Sequence, residues 1–149
     1  MISAKRITYG ALLTLAITLA GSGAWAQDEK PIDWKTGGKW SHLSRYIGTY
    51  DYASVLKDKA VKAQLDTMLK GQDIKLETEM EVSAPIGFEN DCLILKGNQY
   101  HKGNEHQTYM QVCLYEGNIN LAVMKKSSIT VFSRANDYQY LTDGMKTWI

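Results

Sequence analysis

The sequence predicts an α+β fold: an antiparallel β-meander sheet with an amphipathic helix before it and a C-terminal helix packed on one face. Two apolar stripes have helical spacing, namely Val61, Leu65, Met68 and Leu69, and Leu141, Met145, Trp148 and Ile149. Between the two stripes, short segments alternate apolar and polar residues, which is the period of half-buried strands. The order helix, strands, helix along the chain therefore gives the fold class.

The first 26 residues have the pattern of a secretory signal peptide. Two basic residues precede an apolar run from Ile7 to Ala20, which is shorter than the roughly 20 residues that span a bilayer. Ala24-Trp25-Ala26 has the A-x-A form of a cleavage site, so we expect cleavage after Ala26. The alternative is an uncleaved N-terminal anchor. The expected product is a periplasmic protein without membrane attachment.

The remaining chain is long enough for one domain. Residues 27–45 mix tryptophans with glycines and are predicted to form an extended arm, and residues 46–149 a single α+β domain. Trp34 and Trp40 either pack on the domain, which the usual burial of tryptophan favours, or lie against a partner. The chain carries 17 basic and 16 acidic residues, a balance that lacks the basic footprint of a nucleic-acid-binding protein.

Residues 54–70 are predicted to form the first helix. Ser54 or Asp58 offers an N-cap oxygen, and Gly71 stands where a residue of positive φ commonly follows a helix. Residues 74–83 then alternate strictly and predict a strand, although their leucine and glutamates also favour a helix. Glu77, Glu79 and Glu81 are interpreted as a solvated strand face rather than as catalytic carboxylates.

The predicted meander follows a break at residues 84–87 and is joined by short polar connections. Its strands are expected at residues 92–95, 109–115, 119–124 and 129–132. The turn between the second and third strands, Glu116-Gly117-Asn118, suits positive φ. Asn136 or Asp137 is the expected N-cap of the last helix. The helices are expected to cover one face of the sheet.

Cys92 and Cys113 are predicted to form a disulfide. If residues 92–96 and 109–113 pair antiparallel, Cys92 lies opposite Cys113. Export places both cysteines where disulfides persist, and closing this loop should stabilise the fold by roughly 3 kcal/mol. Two buried free thiols are the alternative, and the absence of a Cys-x-x-Cys motif disfavours a redox site.

The polar loop at residues 97–108 is the best candidate for a binding site. Its candidate partner-binding residues are Tyr100, His101, Lys102, Gly103, Glu105 and His106. Tyrosine supplies rigid amphipathic contact area, and histidine can donate, accept or carry a positive charge. The alternative is a solvated hairpin tip without a partner. Because the cysteines lie at the base of the hairpin, the tip is expected to be more mobile than one closed by its own disulfide.

No motif supports catalysis, a metal or another cofactor. His101 and His106 are too few ligands for a zinc site, which normally has three or four. There is no Gly-x-Ser-x-Gly element and no glycine-rich phosphate loop. The sequence therefore predicts a non-enzyme that binds another protein and holds no cofactor.

The region from Tyr46 to Ile149 resembles the inhibitor of vertebrate lysozyme (Ivy) family, periplasmic bacterial proteins that block c-type lysozymes. The similar elements are Tyr46-Ile47-Gly48-Thr49-Tyr50-Asp51-Tyr52, the helix ending Met68-Leu69-Lys70-Gly71, and the meander. Members of the family present a Cys-Lys-Pro-His-Asp-Cys tip whose histidine enters the lysozyme cleft. Gln99-Tyr100-His101-Lys102-Gly103 occupies the corresponding place. The family's tip cysteines, proline and aspartate are not shared, so only His101 is carried over as an inhibitory residue.

The resemblance implies an inhibitor that plugs the cleft of a lysozyme or another muramidase. A lysozyme cleft holds two carboxylates, and protonated His101 would hydrogen-bond to them and block the substrate. Two alternatives remain: an exported immunity protein against a cell-wall toxin, and a non-enzymatic envelope ligand-binding protein that uses the Trp34 and Trp40 arm or a concave sheet face. Deleting residues 98–106 would abolish a plug but spare an arm-based site.

Overall fold

The structure, a computed structural model, describes residues 37–133 and 141–149. Its helical segments are a 3₁₀-helix (Ser41–Tyr46), α1 (Tyr52–Lys57), α2 (Lys59–Met68), α3 (Leu76–Glu79) and α4 (Asp143–Trp148). Its strands are β1 (Val82–Ser83), β2 (Gly87–Glu89), β3 (Cys92–Asn98), β4 (His106–Cys113), β5 (Asn118–Lys125) and β6 (Ser128–Ser133). The predicted signal peptide, Trp34, Asn136 and Asp137 lie outside the described residues. The N-cap of α4 is Thr142, so the prediction that Asn136 or Asp137 caps this helix is wrong. Among the helices within the described residues, none is long and apolar enough to cross a membrane.

The described strands form one antiparallel sheet in the order β1-β3-β4-β5-β6, which confirms the predicted meander from β3 to β6. β1 and β2 share the free side of β3. β1 pairs with Gly97 and Asn98 at one end, and β2 pairs with residues 92–94 at the other. The sequence pattern does not predict β2, because Ala84-Pro85-Ile86-Gly87 interrupts the alternation and the strand that starts at Gly87 is short.

Alternate strand residues pack two cores on opposite faces of the sheet. The larger core lies beneath the 3₁₀-helix and α1 to α3, and its strand residues include Leu93, Leu95, Met110, Val112 and Leu121. The second core joins Leu141 and Met145 to Cys92, Ile94, Tyr109, Cys113 and Ala122. The helix α4 thus packs on one face, as predicted. The expectation that the helices share a face is wrong, because strand alternation marks two apolar faces without assigning a helix to either.

The first predicted helix is divided in two at Asp58. The backbone there leaves the helical region (ψ 133°), and the Asp58 carboxylate accepts hydrogen bonds from the amides of Ala60 and Val61. Asp58 is thus the N-cap of α2, as predicted, and Gly71 has φ +79°. Val61 and Leu65 are buried, so the predicted apolar stripe faces the core.

Residues 74–83 form a short helix and a two-residue strand, so the predicted strand is wrong. Leu76, Glu79 and Met80 are buried and stand at i, i+3 and i+4, which is one face of a helix. Leu76 and Met80 are four apart, a spacing that satisfies strand alternation as well. The prediction that Glu79 is solvated is also wrong, since only 3% of its side chain is exposed.

Trp40 packs in the larger core, as the burial of tryptophan predicted. Its amide donates to the carbonyl of Leu114, so the chain enters the domain alongside the end of β4. Only residues 37–45 of the predicted arm are described. Ser41–Tyr46 is a 3₁₀-helix, so an extended conformation is wrong for residues 41–45.

The C-terminal helix is anchored at its first turn. The Thr142 hydroxyl accepts from the amide of Met145, and the Gly144 amide donates to the Glu89 carboxylate at 3.1 Å. A Cβ on Gly144 would lie 2.6 Å from the Tyr109 hydroxyl, so glycine allows this close approach.

Burial raises the pKa of Tyr109, the hydrogen bond with Thr142 opposes that rise, and the Glu89 charge adds to it.

Asp58→Ala is expected to lower the free energy of unfolding by about 1 kcal/mol at pH 7, because it removes the N-cap of α2. It also removes the 2.8 Å contact with His42. The pKa of Asp58 is lowered overall. Burial raises it, but this effect is outweighed by the hydrogen bonds from His42, Val61 and Ala60 and by the His42 charge. A lowered folded-state pKa stabilises the fold above the unfolded-state pKa of about 3.9. That contribution is lost as the pH falls through the folded-state value.

Urea unfolding at pH 7 and pH 3 checks this expectation. Asp66→Ala is the matched control, because Asp66 pairs with Lys62 on the exposed face of the same helix. Exposed pairs of this spacing contribute only about 0.3–0.5 kcal/mol. Equal losses for Asp58→Ala and Asp66→Ala at pH 7 would contradict the capping role.

Candidate protein-binding loop

The β3–β4 hairpin has the predicted register. Cys92 lies opposite Cys113 and is joined to it by a disulfide. The ladder continues to Asn98 opposite Gln107, so the strands extend into the predicted 97–108 loop. The connection that remains, residues 99–105, is called the tip loop below. The disulfide and the tip loop therefore lie at opposite ends of the hairpin.

The apex of the tip loop exposes two adjacent aromatic side chains. The Tyr100 side chain is 60% exposed, and its ring centroid lies 3.8 Å from that of the exposed His101. His101 has φ +60°, in the left-handed region. Histidine is one of the few non-glycine residues enriched in that region. The turn therefore holds the His101 imidazole exposed on the tip loop, one residue before its midpoint.

The backbone of the tip loop closes on itself through turns. The Lys102 amide donates to the carbonyl of Gln99 at 3.1 Å, and the amides of Glu105 and His106 both donate to the carbonyl of Lys102. The Gln107 side-chain amide donates to the carbonyl of Gly103. The amide of Lys126, in the β5–β6 turn, donates to the carbonyl of Glu105. These bonds place the tip loop against the neighbouring hairpin.

A buried carboxylate lies behind the tip loop. Glu79, the last residue of α3, accepts a hydrogen bond from the Gln99 side chain at 3.1 Å. His106 Nδ1 lies 3.6 Å from one Glu79 oxygen, and Lys125 Nζ lies 3.7 Å from the other. The carboxylate of Glu81 accepts from the amide of Tyr100 at 3.4 Å. Residues of the segment predicted to be a solvated strand thus contact the tip loop.

The comparisons with known proteins identify the family. The family model for the inhibitor of vertebrate lysozyme (Ivy) matches residues 60–149, which is more than half of the chain. The chain belongs to the Ivy family. The match contains the helix α2 from its second residue, the sheet and the tip loop, so the resemblance stated from the sequence is confirmed over residues 60–149. The similar element at residues 46–52 lies outside the match. No curated protein and no solved structure gives a significant match.

In this Ivy-family chain the six predicted partner-binding residues differ in their exposure to solvent. Tyr100, His101, Lys102 and Glu105 are exposed on the tip loop, and Gly103 is half-buried within it. His106 differs, because it is the first residue of β4 and only 18% of its side chain is exposed. The structure therefore exposes four of the six residues on the tip loop and places His106 behind them.

Glu79 was not predicted to be part of the site, and Gln99, which lies in the predicted loop, was given no specific contact. The burial of Glu79 was indicated only by the i, i+3, i+4 spacing of residues 76, 79 and 80, which is significant if the segment is helical but not if it is a strand. Nothing in the sequence pattern singles out Gln99, because its contact with Glu79 joins residues 20 positions apart. Within the described residues, no cluster of three or more His, Cys, Asp or Glu side chains could hold a metal ion.

Proposed function

We propose that this Ivy-family protein is exported to the periplasm and inhibits a lysozyme-type glycoside hydrolase by inserting its tip loop into the substrate cleft. Family membership implies the inhibitor role. The observation that carries the finer proposal is the placement of His101, exposed at the apex in a left-handed conformation. Non-glycine residues held in such conformations cluster at sites of function.

The chemistry of the apex suits an acidic cleft. Lysozyme uses two carboxylates of different pKa, one ionised and one protonated at working pH. A protonated imidazole at His101 offers two N–H donors, and charge-assisted hydrogen bonds to carboxylates are among the strongest in proteins. Lys102, exposed beside it, adds positive charge, and Tyr100 adds rigid contact area. Occupation of both carboxylates would exclude the substrate.

His101→Asn is expected to weaken inhibition of a c-type lysozyme by roughly thirtyfold or more. Truncating one partner of a desolvated charged pair typically costs 2–5 kcal/mol, and 1.4 kcal/mol is a factor of ten. Asparagine is preferred to alanine because it tolerates positive φ, so the turn is kept while the charge is lost.

The matched control is Asp91→Asn. Asp91 has φ +59° and lies at the disulfide end of the hairpin, so it receives the same new residue in the same backbone conformation. We expect it to leave inhibition unchanged. Inhibition constants for wild type and both variants are measured against c-type, g-type and bacterial muramidases. Undiminished inhibition by His101→Asn, or a wild type that inhibits none of the three classes, would sink the proposal.

A further inference from the structure

We infer that Glu79 is the positioning residue of the tip loop, and that α3 sets the loop's binding shape in place of a tip disulfide. The inference concerns the order of the loop in the free protein. Its consequence for affinity rests on the proposed function.

The contacts of Glu79 bracket the tip loop at both of its ends. Gln99 is the first residue of the tip loop, and His106 directly follows the last. Lys125 belongs to β5, the strand paired with β4 at that position, since Lys125 lies opposite His106. One carboxylate therefore lies beside the start of the loop, its end and the adjacent strand, and it is hydrogen-bonded to the first of these.

Because the Glu79 carboxylate is buried, it requires polar groups close to it. Only 3% of the Glu79 side chain is exposed, and a buried charge is strongly unfavourable unless it is paired or hydrogen-bonded. One Glu79 oxygen accepts from the Gln99 side-chain amide, whereas the other makes no hydrogen bond among the described residues and lies 3.6 Å from His106 Nδ1. The groups near the carboxylate all come from the loop, from its flank or from the neighbouring strand. A tip loop that moved away would leave the carboxylate with fewer partners, so the buried charge favours one loop arrangement.

The disulfide cannot supply this restraint. Asn98, the last residue before the tip loop, is six positions from Cys92 along β3, which is about 20 Å of extended chain. The loop itself contains no cysteine. The expectation that the tip is loosely held because the cysteines lie at the base thus omits a restraint that comes from α3.

Loop order sets the affinity through the fraction of molecules that present the binding conformation. If only a fraction of the free protein is competent to bind, the apparent Kd rises by the inverse of that fraction. A Glu79→Ala variant whose loop adopts the native arrangement about one-tenth of the time should therefore bind about tenfold more weakly. The contacts made by His101 in the complex would be unaltered.

The experiment compares amide hydrogen exchange and lysozyme inhibition in wild type, Glu79→Ala and Glu77→Ala. Glu77 is the matched control, because it is an exposed glutamate on the same short helix. We expect Glu79→Ala to speed exchange of the Lys102, Glu105 and His106 amides by tenfold or more and to raise the Kd about tenfold. Exchange at Leu93 and Val112, beside the disulfide, should stay the same. Glu77→Ala should change neither measurement.

A second variant covers the case in which Glu79→Ala fails to fold. Gln99→Ala leaves the buried charge its two basic neighbours and removes only the direct hydrogen bond from the loop, so it should speed loop exchange by a smaller factor. Unchanged loop exchange in both variants would overturn the inference. So would faster exchange spread evenly over the sheet, because that result indicates a purely structural carboxylate.

The two proposals fail in different ways. If His101→Asn inhibits like wild type while Glu79→Ala loosens the loop, the proposed function fails and the positioning role stands. If His101→Asn loses inhibition while Glu79→Ala leaves the loop amides protected, only the positioning role fails.

Discussion

Removal of the Cys92–Cys113 disulfide is expected to lower the free energy of unfolding by roughly 3 kcal/mol and to leave the tip loop ordered. The bond closes a segment with a sequence separation of 21, and it acts chiefly by restricting the unfolded chain. In the folded state the same pair is already aligned by the β3–β4 ladder. The free energy of unfolding should therefore fall, while the tip loop of the folded protein should stay as ordered as in the wild type.

Urea unfolding of Cys92→Ala/Cys113→Ala, with and without a reductant, measures the effect. The wild type in reductant should approach the double variant, and the double variant should not respond to reductant. Loop amide exchange is measured on the same samples. A loss of stability below about 1 kcal/mol would contradict the entropic account, which assigns about 3 kcal/mol to a loop of this size. Faster exchange confined to the tip loop would show that the disulfide restrains it.

Gly97→Ala is expected to destabilise the fold by about 1–3 kcal/mol, the usual range for overpacking, and to loosen the tip loop at the same time. A Cβ on Gly97 would lie 2.8 Å from the Met80 Cα and 3.1 Å from the carbonyl oxygen of Val82. Both are backbone atoms, so rotation of a side chain cannot relieve the contact. The chain after α3 would have to move away from β3, and Glu79 would move with it.

Gly87→Ala is the matched control for this substitution. Gly87 lies in β2, and its added Cβ would meet the Ile94 Cβ at 3.5 Å, which is ordinary van der Waals contact. Thermal unfolding and loop amide exchange are compared for the two variants. A Gly97→Ala protein as stable and as protected as Gly87→Ala would show that α3 is not held against β3 as described.

The parts of the fold that were predictable are those whose signal is local. The stripe through Val61 and Leu65 predicts α2, and the alternation of residues 109–113 predicts β4. The pairing of Cys92 with Cys113 followed from symmetry about the loop, because antiparallel register is set by the position of the connection. Each of these features depends on neighbours in sequence or on a single hairpin.

The candidate site was predictable only at its apex. His101 stands out because histidine in a polar loop can exchange protons and because the family places a histidine at its tip. The residues behind the apex were not predictable, since Glu79 stands in a segment that alternates apolar and polar residues. The four-residue spacing of Leu76 and Met80 in that segment fits one face of a strand and one face of a helix. The choice between the two was made by packing of Leu76 and Met80 against the sheet.

By itself the sequence determined the α+β class, the hairpin register, the disulfide and the position of the loop that carries His101, because each depends on periodicity or on closely spaced residues. Only the tertiary structure decided which sheet face each helix covers, that residues 76–79 form a helix, and that Glu79 turns inward to the tip loop. The physical reason is that burial is a property of the assembled chain. Whether a glutamate faces water or the Gln99 amide and two basic groups depends on residues 20 to 46 positions away.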